Sequence, residues 1–219
     1  VVEEGLADGT NPNAPSETAT WTAPDGYTIV SVNDGKLGTV VKTGDTTLDY
    51  TLSDAITHPA GSGENTATGA DSFEVTIMDG NGNTYTVKVD VDVTDDVPSI
   101  SADSLSKDVA SGAEVTGRVD IDYGADNEGG QKSLTVNGQK GTAAEDGKLS
   151  FDLENGTLVF DPATGGYEFT AKANVTTDQT LEFVVTDADG DTDEVTVTVN
   201  ISKPEVPTFT GTVSVDEEG

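Results

Sequence analysis

Aspartates alternate through Asp187-Ala188-Asp189-Gly190-Asp191-Thr192-Asp193, with one glycine among them. Carboxylates held this close repel one another in water, and gathering them becomes favourable only around a hard, oxygen-seeking cation such as Ca²⁺. The segment separates two runs of alternating apolar residues, so it reads as the acidic tip of a hairpin. A weaker copy, Asp79-Gly80-Asn81-Gly82-Asn83, stands earlier in the chain. Asn81 and Asn83 replace two full charges there, and weaker cation binding is expected. An EF-hand opening at Asp187 would need Gly at its sixth position and Glu at its twelfth, but Thr192 and Thr198 occupy them. The glycine-rich nonapeptide repeat of β-rolls is missing as well. For both tips the alternative is a solvated polar turn.

Further carboxylates fall at structural boundaries. Asp95 and Asp96 precede Val97-Pro98, where one unit hands over to the next, and an ion held there would be contacted by both neighbours. Asp120 and Asp122 share one strand face, with Asp126 in the following turn, although an exposed strand explains them equally well. Asp90 and Asp92 alternate on the preceding strand and suit its wet face. Glu3, Glu4, Glu217 and Glu218 occupy equivalent positions near the two ends and could reach a junction ion, or stay solvated. His58 is the single histidine and cysteine is absent, so no nucleophile–base–orienter set can be assembled, and no enzymatic activity is expected. Trp21 is the sole tryptophan. With Tyr27 it suits a core anchor better than a sugar platform.

Composition narrows the function classes. The formal charge is −31, from 41 acidic against 10 basic residues. Such a chain is repelled by nucleic acid and by anionic membrane surfaces. No apolar run approaches the ~20 residues of a membrane helix, so neither a nucleic-acid partner nor membrane insertion is expected. Leu, Ile, Val and Phe supply 48 of 219 residues, and Val alone 26. That content is close to the limit below which a highly charged chain stays unfolded. A thin, valine-rich core under strong self-repulsion is expected to draw stability from bound divalent ions.

The elements that would position these residues are strands. Tyr27–Val32, Lys148–Leu153 and Val195–Val199 alternate with period two, and Asn33-Asp34-Gly35, Asn137-Gly138, Asp146-Gly147 and Asn155-Gly156 punctuate the chain with turns. No long segment has a helical period. The Gly/Ser/Asn/Thr-rich stretch from His58 to Gly69 reads as a long exposed loop. Phe73-Glu74-Val75-Thr76-Ile77-Met78-Asp79 returns as Leu181-Glu182-Phe183-Val184-Val185-Thr186-Asp187, roughly 100 residues later, the length of one β-sandwich domain. Val1-Val2-Glu3-Glu4-Gly5 is echoed by Val215-Asp216-Glu217-Glu218-Gly219, and the chain opens mid-pattern, as a piece of a longer protein would. The expected organisation is all-β, with immunoglobulin- or cadherin-like sandwiches at 1–96 and 97–206 and a further repeat starting at 207–219.

Residues 97–206 resemble the repeats of giant RTX-type bacterial adhesins exported by type I secretion. The resemblance rests on Tyr123-Gly124-Ala125-Asp126, Gly166-Tyr167-Glu168-Phe169-Thr170, the run Phe183–Asp191 and the linker Thr94-Asp95-Asp96-Val97-Pro98. Residues 71–98 share it more loosely. It implies calcium-binding sandwich domains that extend a stalk at the bacterial surface, for attachment or biofilm formation. The chain departs from the pattern twice. The first unit has no clear Gly-Ala-Asp element, and Lys203-Pro204 replaces acids at the second junction. The expected partners are neighbouring repeats of the same chain, with a surface glycan or protein reached through other domains; the chain itself is expected to be monomeric. A glycan- or peptide-binding module of the same kind of adhesin is the alternative, contacting its ligand through the His58–Gly69 loop or a flat threonine face.

Overall fold

The structure, a computed structural model, describes residues 1–59, 61, 63–125, 132–204 and 211. The first domain holds six strands: β1 (Thr18–Thr22), β2 (Tyr27–Val32), β3 (Gly38–Lys42), β4 (Thr47–Leu52), β5 (Thr66–Asp79) and β6 (Thr84–Thr94). They pair as two three-stranded sheets, β1-β4-β3 and β2-β5-β6. Period-two alternation turns Leu48, Tyr50 and Leu52 of β4 toward Phe73, Val75 and Ile77 of β5, and these residues form the centre of the first core. The Tyr50 and Phe73 rings stack with centroids 5.8 Å apart. Trp21 and Tyr27 pack, half-buried, at the margin of that core.

The second domain is larger. Its strands are β7 (Ser99–Ala102), β8 (Ser106–Ala110), β9 (Glu114–Asp122), β10 (Ser133–Val136), β11 (Gln139–Lys140), β12 (Thr142–Ala143), β13 (Leu149–Asp152), β14 (Gly156–Phe160), β15 (Gly166–Ala171), β16 (Gln179–Thr186) and β17 (Thr192–Ser202). A five-stranded sheet, β11-β10-β16-β17-β8, faces a six-stranded one, β12-β13-β14-β15-β9-β7. Phe151, Phe160, Phe169 and Phe183 lie fully buried between them with Leu158, Leu181 and Val197. Most phenylalanines of the chain sit here, so this core is deeper than the first.

The internal repeat corresponds to one shared hairpin. Phe73, Val75 and Ile77 face Val89, Val87 and Tyr85 across β5–β6, and Leu181 and Phe183 face Val197 and Val195 across β16–β17. Both domains also lay a strand parallel to the end of that hairpin. In the second, β8 runs along β17 from Ser106↔Thr198 to Ala110↔Ser202. In the first, an isolated bridge joins Val2 to Thr94.

The stretch expected to be a long exposed loop is one in part: Pro59, Gly61 and Glu64 are exposed and precede any strand. Strand β5 begins at Thr66, so the sheet takes up the last residues of that stretch, and His58 is buried. The reason is tertiary: Glu3 from the start of the chain packs against His58, and Gly63 reaches Asp191 of the second domain. The expected further repeat at 207–219 lies outside the described residues apart from Gly211.

Candidate metal centre at the domain joint

The acidic hairpin tip is built by its own backbone. Asp187 directly follows β16, and its N–H donates to the Asp191 carbonyl at 3.1 Å. Its Oδ1 accepts the N–H groups of Gly190 at 2.9 Å and Asp191 at 2.8 Å. Gly190 sits at φ +105°, a conformation that a side chain would strain, so glycine is required among the aspartates. The closed turn holds Asp189 and Asp191 against Asp95 of the linker, and one carboxylate oxygen from each of the three lies within 4.8 Å of the others.

The first domain supplies the other wall from three separate segments. Asp95 leaves β6 with its N–H on the Asn65 carbonyl at 2.8 Å, while its Oδ2 accepts Asn65 Nδ2 at 2.8 Å. Gly63 reaches across the joint to donate its N–H to Asp191 Oδ1 at 2.8 Å. Glu3, in the one-turn helix Glu3–Gly5, brings Oε1 to the Ile56 N–H at 2.6 Å. Glu3, His58 and Asp95 form a second grouping, again with ligand atoms within 4.8 Å, and Asp95 is common to both.

The electrostatics of this joint are unfavourable to the bare protein. Asp187, Asp95 and Asp191 are 1%, 2% and 3% exposed. Asp95 Oδ1 and the Oδ2 atoms of Asp187, Asp189 and Asp191 are buried without a hydrogen-bond partner among the described residues. The ion pairs of Lys42, Lys88, Lys107, Arg118, Lys148 and Lys172 all lie elsewhere. Two like charges about 4 Å apart repel by roughly 4 kcal/mol even at an effective dielectric constant of about 20. Accordingly burial, reinforced by Asp189, Glu3 and Asp191, pushes Asp95 up to about 7, against a smaller downward pull from His58. Burial and the Asp189 carboxyl push Asp187 up to about 6, although the Gly190 and Asp191 N–H groups oppose the shift.

Asp71 shows what a buried carboxylate looks like when the protein satisfies it. It accepts the N–H groups of Lys36 and Leu37, both at 2.9 Å, and the Tyr50 hydroxyl at 2.8 Å. Burial raises its pKa, but these donors together with the Ser72 N–H outweigh it and hold Asp71 below the ordinary carboxylate range. Its position is structural. Asp95, Asp187, Asp189 and Asp191 instead each keep one buried oxygen without a donor among the described residues, and the set that remains (several carboxylate oxygens facing one another) suits Ca²⁺.

The remaining candidate residues are placed as follows. Asp193 turns away from the tip and accepts the Ile100 N–H at 2.9 Å, fixing β7. Asp96 is buried but saturated: Thr10 donates both its hydroxyl and, at 2.8 Å, its N–H, and Ala125 donates its N–H at 3.0 Å. It therefore ties the domains directly and belongs to neither metal grouping. Asp79 Oδ1 accepts the N–H groups of Asn81 and Asn83, both at 2.9 Å, and Asn83 Nδ2 donates to Oδ2 at 3.0 Å. That tip is a self-contained turn at the far end of β6. Eleven strand residues, about 35 Å, separate it from the joint. Asp120 pairs with Arg118, and Asp122 accepts the Gly124 N–H at 3.0 Å. Both are exposed on β9, as Asp90 and Asp92 are on β6. Asp126 lies outside the described residues.

The Gly-Ala-Asp element acquires a role here that spacing could not show. Ala125 is buried within the core of the first domain rather than its own, and Gly124, at φ +70°, passes so close to Asp96 that a Cβ would stand 3.0 Å from its carbonyl oxygen. Sequence reasoning also missed His58 and Asn65 as parts of the site, since neither belongs to an acidic run.

Residues 95–200 match the bacterial Ig domain family. No curated protein matches the chain. Among solved structures, domains 4 and 5 of the S-layer protein SbsC are 18% identical over 83% of this chain and 72% of that one, with a TM-score of 0.30. The tandem Ig repeats of Dlar are 15% identical over 86% and 91%, also with a TM-score of 0.30. Extracellular cadherin domains 1–5 of protocadherin Gamma B2 are 14% identical over 86% of this chain but 32% of that one, with a TM-score of 0.32. Over residues 95–200, then, this all-β chain of tandem sandwiches is similar to bacterial Ig-like domains.

Proposed function

We propose that this chain is a calcium-binding repeat region of a large bacterial surface adhesin, and that a Ca²⁺ ion between Asp95, Asp189 and Asp191, with Asp187 behind them, stiffens the joint between its two domains. The observation behind this reading is a set of buried carboxylate oxygens, drawn from both domains, without hydrogen-bond partners among the described residues, with one ligand oxygen each of Asp95, Asp189 and Asp191 within 4.8 Å of one another. Such a set is repulsive when empty and cohesive around a divalent ion. Extracellular modules bind Ca²⁺ at roughly 10⁻⁴–10⁻³ M, so sites of this kind fill outside a cell and stay empty within it. The reading therefore includes secretion to the cell surface, with export of the softer, calcium-free chain by a type I route as in the RTX-type adhesins it resembles. The domain division is proposed to fall at the Asp95–Pro98 linker, with the domains acting as spacers for attachment or biofilm formation.

The test is differential melting. In millimolar Ca²⁺ the protein is expected to melt well above its temperature in EDTA, by RT ln(1 + [L]/Kd) of added stability. Equal melting in the two solutions would falsify the calcium reading.

A further inference from the structure

Five carboxylates converge on the joint, more than one divalent ion neutralises, and one member of the assembly is not an oxygen donor. His58 is 3% exposed, and its Nε2 makes no hydrogen bond among the described residues. The surrounding hydrogen bonds decide which way its proton lies. Asn65 uses its amide hydrogens on the Gly63 carbonyl at 3.0 Å and Asp95 Oδ2 at 2.8 Å. That leaves Asn65 Oδ1 as the acceptor facing His58 Nδ1 at 3.1 Å. The proton of a neutral imidazole therefore sits on Nδ1, and the Nε2 lone pair points at Glu3 Oε1, 3.5 Å away. Fixing a histidine tautomer through an amide or carboxylate on its far nitrogen is how proteins prepare a metal ligand.

We infer that Glu3, His58 and Asp95 form a second metal site, distinct from the calcium centre and selective for a nitrogen-accepting divalent ion of the Zn²⁺ type, with Asp95 shared between the two ions. Ca²⁺ prefers six to eight oxygens and gains little from imidazole, whereas Zn²⁺ takes mixed nitrogen and oxygen donors in a tetrahedron. Two ligands about 2.1 Å from a tetrahedral ion stand about 3.4 Å apart, close to the 3.5 Å between His58 Nε2 and Glu3 Oε1. Two carboxylates and a neutral imidazole match the charge of one Zn²⁺. A water would complete the tetrahedron. The remaining carboxylates of Asp187, Asp189 and Asp191 stay with Ca²⁺, so one buried cluster is divided between two ions of different chemistry.

The test uses tag-free protein saturated with millimolar Ca²⁺ and titrated with Zn²⁺ against a chromophoric chelator. His58 is the only histidine and there is no cysteine, so no other imidazole or thiolate contributes. One Zn²⁺ per chain is expected to bind in the presence of Ca²⁺. His58→Gln is expected to weaken that binding at least about tenfold, as for a lost ligand, while leaving the Ca²⁺ titration unchanged. In ¹⁵N-labelled parent protein the Nε2 resonance should shift on adding Zn²⁺ and stay put with Ca²⁺ alone, a readout that needs no variant. Displacement of Zn²⁺ by Ca²⁺, an Nε2 signal unmoved by Zn²⁺, or equal Zn²⁺ binding by parent and His58→Gln would each overturn the proposal and make His58 a partner of Glu3 alone. Because Ca²⁺ is titrated separately, a protein that takes Zn²⁺ at His58 but no Ca²⁺ would retain this site and lose the calcium reading.

Discussion

At the scale of single residues, the same side chain type behaves in opposite ways according to its donors. Asp71, surrounded by N–H groups and the Tyr50 hydroxyl, is pulled below the ordinary range. Its contribution is present above an unfolded pKa of about 4 and lost as acid titrates it. Replacing Asp71 with Ala would leave those donors buried and unpaired, at a cost of about 2–4 kcal/mol. Denaturant unfolding should show that loss equally in Ca²⁺ and in EDTA. Asp95 and Asp187 are pushed up, to about 7 and about 6. Between about pH 4 and those values the metal-free folded chain holds more protons than the unfolded one, so its stability falls as pH rises. With Ca²⁺ present the sign reverses, because deprotonation frees the ligands. Melting curves from pH 4.5 to 7.5 should therefore slope downward in EDTA and upward in millimolar Ca²⁺; parallel slopes would remove Asp95 from the metal site. Asp191→Asn keeps an oxygen for the Gly63 N–H but removes one buried charge. It should melt a few degrees higher than the parent in EDTA and lower in Ca²⁺, given a shift of about 2–4 °C per kcal/mol for a chain of this size.

At the scale of elements, two hairpins of one design differ in what their tips can do. Asp79 spends both oxygens on Asn81 and Asn83 within its own turn. Asp187 spends one oxygen on Gly190 and Asp191 and leaves the other without a partner among the described residues. A calcium titration should accordingly lose its tightest transition in Asp189→Asn/Asp191→Asn and keep it in Asp79→Asn. If Asp79→Asn removes it instead, the principal site is at the far end of the first domain. The repeat itself could be read from alternation alone, since Phe73, Val75 and Ile77 and their counterparts Leu181, Phe183 and Val185 are apolar every second residue and face the two cores. The division between the hairpins could be read only in part. More aspartates mark the second tip, but which oxygens remain free depends on turn geometry.

At the scale of the whole molecule, the joint combines two devices with different dependence on ions. Asp96 links Thr10 of the first domain to Ala125 of the second by hydrogen bonds, and Ala125 completes the first core. Asp95 and the acidic tip bring together carboxylates whose mutual repulsion a bound cation would relieve. Contacts between neighbouring domains are ordinarily small enough to permit relative motion. Small-angle scattering is thus expected to show a narrow distribution of maximum dimension in Ca²⁺ and a broader one in EDTA. Asp96→Ala should broaden it even in saturating Ca²⁺, without changing Ca²⁺ affinity. Should Asp96→Ala remain as narrow as the parent in both solutions, packing around Ala125 and Pro98 holds the joint without it.

Fold class, the two-unit repeat and the acidic tip follow from local information: period-two alternation, turn residues at short intervals and a run of closely spaced aspartates. These properties are written within a few neighbouring residues, where pleat geometry and charge repulsion act. The composition of the joint is of another kind. Glu3, His58, Asn65, Asp95 and Asp191 are scattered along most of the chain and meet only because β6 ends where the β16–β17 hairpin of the next domain points. Long-range placement also made His58 a buried residue rather than part of an exposed loop, and gave Ala125 to the core of its neighbour. No local pattern encodes such meetings, because the energy that selects them (burial shared across two domains and the hydrogen bonds that Gly63 and Asn65 give to Asp191 and Asp95) exists only once both sandwiches have formed.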